Sequence, residues 1–205
     1  MLKLDVQNLA KRFGARKVFD NISFTLEPGQ SIAIVGPNGS GKTTLLRLLI
    51  GFSIPTKGRV VYSEEGKHLD FDSYRKHLAF VSPYLALYGS LTARENLHFI
   101  SRVNGDKVSD PEIESALALV GLEGRGDDFV SAHSSGMLQR LKYAAAVLKN
   151  PAILMIDEPT SNLDDSGKKI IFDLIDKSRK DCIIILATNE KEEYSLADRL
   201  CQLGS

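Results

Sequence analysis

Two kinds of hydrophobic patterning divide the chain. Residues 2–6 and 22–26 alternate apolar with polar positions, the period of a half-buried strand. Residues 30–35 are a short β-rich run, apolar over 32–35, and 78–81, 152–156 and 182–187 are short continuous apolar runs, as strands covered on both faces require. Residues 58–62 make a further strand, closed by the polar, glycine-containing stretch 63–67, and a last short strand falls near 199–203. Helical signals fill the spaces. The apolar stretch 43–49 follows a glycine-rich turn. Thr92 caps a helix over 93–103, with Glu95 completing a capping box. Asp110-Pro111 opens a helix to Val120, ended by Gly121, and residues 136–148 continue as helix until Asn150-Pro151 stops it. Two more helices are predicted over 166–180 and 190–196. The pattern is an α/β chain with a mostly parallel sheet covered by helices, an N-terminal antiparallel β part, and an inserted helical block over 84–150.

Composition narrows the class. The 205 residues suit one large domain, with 43% hydrophobic and 25% charged content. Formal net charge is zero, so no basic field favours nucleic acid, and none is expected as partner. No apolar run approaches the roughly 20 residues of a membrane helix, and residues 1–5 show no secretory pattern. Cys182 and Cys201 are far apart and form no metal-type cluster, which suits free thiols in a reducing cytoplasm.

The chemistry concentrates at the ends of the apolar strands. Gly36-Pro37-Asn38-Gly39-Ser40-Gly41-Lys42-Thr43 follows one strand and opens a helix, matching the phosphate-binding loop of P-loop NTPases in its proper context. Its glycines let successive N–H groups point inward, the helix start adds a favourable dipole, Lys42 brings a positive charge and the Thr43 hydroxyl suits Mg²⁺. At the end of the strand over 152–156 stand Asp157 and Glu158. Asp157 suits Mg²⁺ and Glu158 suits polarisation of an attacking water, because phosphoryl transfer needs mainly positioning and charge stabilisation.

With these residues the chain resembles the ABC ATPases over nearly its whole length. The segment Ser134-Ser135-Gly136-Met137-Leu138-Gln139-Arg140 is similar to that family's signature LSGGQ-x-QR: Ser134, Gly136, Gln139 and Arg140 match, whereas His133, Ser135 and Met137 depart. Ser161-Asn162-Leu163-Asp164 resembles its D-loop. The resemblance implies a single ATPase domain over 1–205, with 1–83 and 151–205 as ATP-binding core and 84–150 as signature subdomain. It implies ATP and Mg²⁺ as cofactors, Thr44 beside Thr43 on the nucleotide, and Phe13 stacked on adenine. Phe13 also fits an ordinary edge aromatic. Ser134 and Gly136 would close over the nucleotide of a partner subunit, in a homodimer or a pair with another ABC ATPase. Taken alone they also fit a simple helix cap.

Two positions depart from the family in ways that bear on rate. Pro83 stands where a Gln is usual and Asn189 where a His is usual. Proline has no side-chain donor or acceptor, and an amide cannot carry a proton. Slow hydrolysis is therefore expected, with Glu158 and Asn189 as the catalytic pair. The resemblance implies an ATP-binding subunit of a transporter, held on the inner face of the cell membrane by integral membrane subunits. The run Tyr84-Leu85-Ala86-Leu87-Tyr88 is a candidate docking surface for them, or ordinary loop packing. The stretch from Asp72 to Phe99 is similar to haem-exporter ATPases of cytochrome c maturation, and a general export ATPase fits as well. A soluble ABC ATPase, or an ATP-driven dimer switch with weak hydrolysis, is the alternative function.

Overall fold

A computed structural model describes residues 1–204. Strands β1 (Leu2–Phe13), β2 (Arg16–Leu26), β4 (Lys57–Glu64) and β5 (Lys67–His68) form an antiparallel sheet in the order β2-β1-β4-β5. Strands β3 (Ser31–Val35), β6 (Leu78–Val81), β7 (Ile153–Asp157), β8 (Ile183–Thr188) and β9 (Arg199–Gln202) form a parallel sheet in the order β6-β7-β8-β3-β9. Between and around them lie α1 (Lys42–Ile50), α2 (Phe71–Tyr74), α3 (Ala93–Asn104), α4 (Asp110–Leu119), α5 (Ser135–Leu148) and α6 (Asp165–Ser178).

The continuous apolar strands behave as two-faced strands should. In β3, Ala33 and Val35 join one core while Ile32 and Ile34 join the other; in β8, Ile184 and Leu186 oppose Ile183 and Ile185 in the same way. The first core takes Leu97, Leu117, Leu141 and Ile171 from α3 to α6. The second takes Leu45 and Leu49 from α1 and Leu4, Leu26 and Tyr62 from the antiparallel sheet. The inner strands β3, β7 and β8 are therefore buried from both sides, which is why they carry few polar residues, whereas the edge strand β9 is largely exposed and keeps Arg199 and Gln202.

Several element boundaries differ from the sequence pattern, for local reasons. β1 and β2 run well beyond their alternating segments because Asn8 and Asn21 adopt positive φ and the β1–β2 register shifts at bulges. A bulge interrupts the period of two, so the pattern ends before the strand does. α4 opens at Asp110-Pro111 as expected, with Ser109 before it as the cap and Glu112 closing the capping box. Residues 191–196 wind as a 3₁₀ helix rather than an α-helix. The capping box of Thr92 and Glu95 on α3 forms as expected, with Thr92 N–H donating to Glu95 at 2.8 Å and Glu95 N–H to Thr92 at 3.2 Å.

The start of β3 is tied to the approach to its neighbour, the edge strand β9, across 167 residues. Asp198, just before β9, accepts from Ser31 N–H at 2.9 Å and Ser31 Oγ at 2.6 Å, and Arg179 pairs with it. The Ser31 hydrogen bonds hold the Asp198 carboxyl below its ordinary value of 3.8. A depressed carboxylate contributes stability above its unfolded pKa and loses it as pH falls through the lower folded value. Asp198→Asn should therefore melt below the parent at about pH 6, with the gap narrowing as pH drops below about 4. Thermal melts across that range check this; a gap that stays constant refutes the linkage.

Candidate functional site

The phosphate-type loop leaves β3 at Val35 and enters α1 at Lys42. Gly36 is obligatory by packing as well as by φ (152°), since a Cβ there would meet Leu203 O at 2.4 Å. Gly41 is the N-cap of α1 in the left-handed region and has no side chain with which to cap the helix. The first N–H groups of α1 therefore face outward as donors. Lys42, 6% exposed, turns back so that Nζ donates to Gly36 O at 2.8 Å and Pro37 O at 3.3 Å. Ser40 Oγ is buried beside Gly36 with no hydrogen-bond partner among the described residues. The loop thus gathers donors around one point, which suits an anion.

Opposite it, Asp157 closes β7 at 1% exposure and accepts from Thr43 Oγ1 at 2.8 Å. Burial pushes the Asp157 carboxyl up, the Thr43 hydrogen bond opposes this, and the neighbouring Glu158 charge adds to the rise. The next residue, Glu158, is half-buried, at φ 52°, and its N–H donates to Ala187 O at 2.8 Å. Asn189 follows the last residue of β8 and is exposed.

Two open cavities meet at Asn38 and Glu158. One, about 470 Å³, is lined by Phe13, Gly39, Gly41, Lys42, Thr43 and Thr44, and also by Arg16 and Tyr84. The other, about 420 Å³, brings Glu158 together with Asn189, Thr160, Lys168, Thr188 and Glu193. Phe13 is 58% exposed there, its ring 4.9 Å from Lys11 Nζ. Ser134 and Gly136 line neither cavity. Ser134 caps α5, accepting from Met137 N–H at 3.2 Å, and Gly136 packs close to Asn162 O. The predicted signature therefore sits against the 161–164 loop and not against this chain's own phosphate loop.

Sequence patterning missed Arg16, Thr188 and Glu193, whose neighbours in the site are distant along the chain. The apolar run 84–88 divides four ways. Tyr84 faces the phosphate-loop cavity, Leu87 packs on the core, and Tyr88 stacks edge-on against Phe99 at 5.0 Å. Leu85 alone reaches a separate hollow of about 340 Å³, lined by Ile50, Phe52, Phe71, Phe80 and Ile100 with Lys142 and Lys149.

Comparison with known proteins places this geometry in a family. Residues 19–161 match the ABC transporter family. The chain is 36% identical over 197 residues to the ABC transporter ATP-binding protein YybJ of Bacillus subtilis, covering 95% of this chain and 89% of that one. It is 32% identical over 197 residues to the cytochrome c biogenesis ATP-binding export protein CcmA of Vibrio parahaemolyticus, covering 96% of both. Other relatives are longer: the chain spans 57% of the Fe(3+) ions import ATP-binding protein FbpC of Escherichia coli K12, at 33% identity. A solved ATP-binding subunit of an ABC transporter superposes with a TM-score of 0.83 at 28% identity, covering 98% of this chain and 85% of that one. The chain belongs to the ABC transporter ATP-binding family. It is an ATP-binding subunit of that type, and none of its described helices is long and apolar enough to cross a membrane.

Asp157 is a test of what the site is built for. Its raised pKa means that the folded protein disfavours the ionised form, so at neutral pH the ligand-free fold is weakened by this carboxylate. Asp157→Asn should melt at or above the parent at about pH 7 without ligand. A clear fall in melting temperature would instead make Asp157 a structural group.

Proposed function

We propose that the chain binds ATP with Mg²⁺ in the paired cavities, hydrolyses it slowly, and works as the motor of a transporter whose path lies in separate membrane subunits. The convergence of Lys42, the Thr43–Asp157 pair and Glu158 on one edge of the parallel sheet carries this reading. Its donor set fits the ligands. The free N–H groups of α1 and Lys42, which line the cavity, suit phosphate oxygens. A hydroxyl and a carboxylate 2.8 Å apart are hard oxygen ligands, and two protein ligands suit Mg²⁺, which keeps most of its waters.

Bound Mg²⁺ would draw charge from the phosphate oxygens. Thr43 and Asp157 would hold it. Gly36, Pro37, Asn38, Gly39, Ser40, Gly41 and Thr44 shape the cradle and Phe13 supplies a stacking face for the base. Glu158 orients and polarises the attacking water. Asn189, on the far side of the same cavity, donates one amide hydrogen bond but no proton, and Pro83 offers none, so the rate is low. Saturating Mg·ATP should raise the parent's melting temperature by about 5–10 °C at 100 times Kd, and should leave Asp157→Asn unmoved. Turnover should fall about 100-fold in Glu158→Gln, to a residual rate that single-turnover assays still read, and rise on Asn189→His. Equal rates in parent and Glu158→Gln would remove hydrolysis from the reading and leave an ATP-dependent dimer switch, which the residues at 83 and 189 would then favour.

Transport needs a second cassette and a membrane anchor. Ser134 and Gly136 line neither nucleotide cavity of their own chain, so a second copy or a related ATPase is the partner whose nucleotide they close over. The apolar hollow beside Leu85 is the seat for a segment of the membrane subunit, which keeps the chain on the cytoplasmic face. The solved protein cbiO1 of Clostridium perfringens, 26% identical with a TM-score of 0.81, is part of the ABC transporter complex cbiONQ. Leu85→Glu should abolish co-purification with the membrane partner and leave ATP binding intact. Ser134→Arg should abolish the ATP-dependent shift to a dimer in size-exclusion chromatography. Retained assembly in either variant counts against the surface it tests.

A further inference from the structure

We propose that Tyr143 and Glu193 are positioning residues for hydrolysis, acting on the Glu158 carboxylate through the backbone of the turn Glu158-Pro159-Thr160. The inference rests on the role given above to Glu158.

The turn begins in a conformation the chain resists. Glu158 has φ 52°, the left-handed region that side-chain-bearing residues avoid, and it precedes a proline, which pushes its neighbour towards extended backbone. Such a residue stays in place only where its surroundings over-determine it. Here each of three consecutive residues is held by a different element. Glu158 N–H donates to Ala187 O of β8 at 2.8 Å. The Tyr143 hydroxyl, on α5, donates to Pro159 O at 2.8 Å. Thr160 N–H donates to Glu193 Oε1 at 2.9 Å, and Thr160 Oγ1 donates to the same oxygen.

Both side chains are committed to this turn. Tyr143 is fully buried and Glu193 is 1% exposed. Burial first, and the Glu193 charge second, push the Tyr143 phenol well above its usual range, so its hydroxyl remains a donor. Glu193 Oε2 is buried with no partner among the described residues, so its carboxylate is spent on Thr160 alone. A phenylalanine would fill the Tyr143 position as well by shape; the hydroxyl has one partner, the Pro159 carbonyl. Glu193 also lines the cavity that Glu158 shares with Asn189, so the residue that fixes Thr160 borders the place from which the water would attack.

Steady-state ATPase kinetics on the full chain, well below its melting temperature, test this with Tyr143→Phe, Glu193→Ala, Glu193→Gln, Glu158→Gln and the double variant Tyr143→Phe/Glu158→Gln. Tyr143→Phe and Glu193→Ala should each lower kcat about 10-fold with KM within about twofold, since a small misplacement of a catalytic group is costly. Glu193→Gln keeps an acceptor for Thr160 and should recover most of the rate. In the Glu158→Gln background Tyr143→Phe should change nothing further, because its effect runs through the missing carboxylate. A parental kcat in Tyr143→Phe, or the same fold-loss in both backgrounds, overturns the proposal. A parent no faster than Glu158→Gln overturns the role of Glu158 first, and the positioning role with it.

Discussion

The register of β8 between β7 and β3 is the constraint on which the site depends. Asp157 pairs with Ala187, and Val35 pairs with Thr188, so three parallel strands end within one residue of each other. The residues that leave them are Gly36, Glu158 and Asn189, and they emerge along one edge. That register is enforced from both sides. Each strand alternates side chains between two separate apolar cores, so a slip of one residue would exchange the occupants of both. Packing of Ile, Leu and Val thus decides where a lysine, two carboxylates and an amide are found, although no apolar side chain takes part in the chemistry.

Much of this was readable in the chain because strand, turn and helix are contiguous around the loop and the paired acids. A continuous apolar run with glycines after it can be only a few things, and the two-sided burial of β3, β7 and β8 follows from composition alone. What escaped was the bulged length of β1 and β2, where Asn8 and Asn21 turn the backbone through positive φ and erase the alternation. The 3₁₀ winding of 191–196 escaped too, since its charged and apolar residues would suit either helix over so few positions.

The site divides along the same line. Lys42, Thr43, Asp157 and Glu158 sit in short motifs, and the structure brings them together. Phe13 was a weak signal as a lone aromatic, and the fold carries it to the loop only because β1 and β2 turn back beside α1. The partners of Thr160 and Pro159 lie 33 and 16 residues away, and nothing in the local spacing of Glu193 or Tyr143 announces them. Tyr143 occupies a helical position where a hydrophobic residue of similar size would satisfy every sequence criterion. Its hydroxyl acquires meaning only when α5 is laid against the end of β7. Contacts of this kind depend on where elements pack, and a one-dimensional pattern carries the faces of elements without the neighbours those faces meet.

A sequence chosen for stability alone would not contain this edge. Asp157 is buried against its own preference to ionise, Ser40 Oγ is buried without a partner, Lys42 is sequestered on two carbonyls, and Glu158 is held at positive φ before a proline. Each is unfavourable by itself: a buried polar atom left unsatisfied costs roughly 1–3 kcal/mol, and an uncommon backbone conformation about as much. Elsewhere in the parallel sheet the polar exceptions are satisfied, as Ser31 is by Asp198. Other buried polar atoms without partners among the described residues, on His133, Gln139 and Glu193, lie elsewhere, but these four groups stand together at the ends of β3 and β7, where Asp157 and Lys42 carry charges that a magnesium-bound triphosphate would meet. Strain that concentrates where a ligand of matching chemistry fits is the mark of a site whose stability is completed by what it binds.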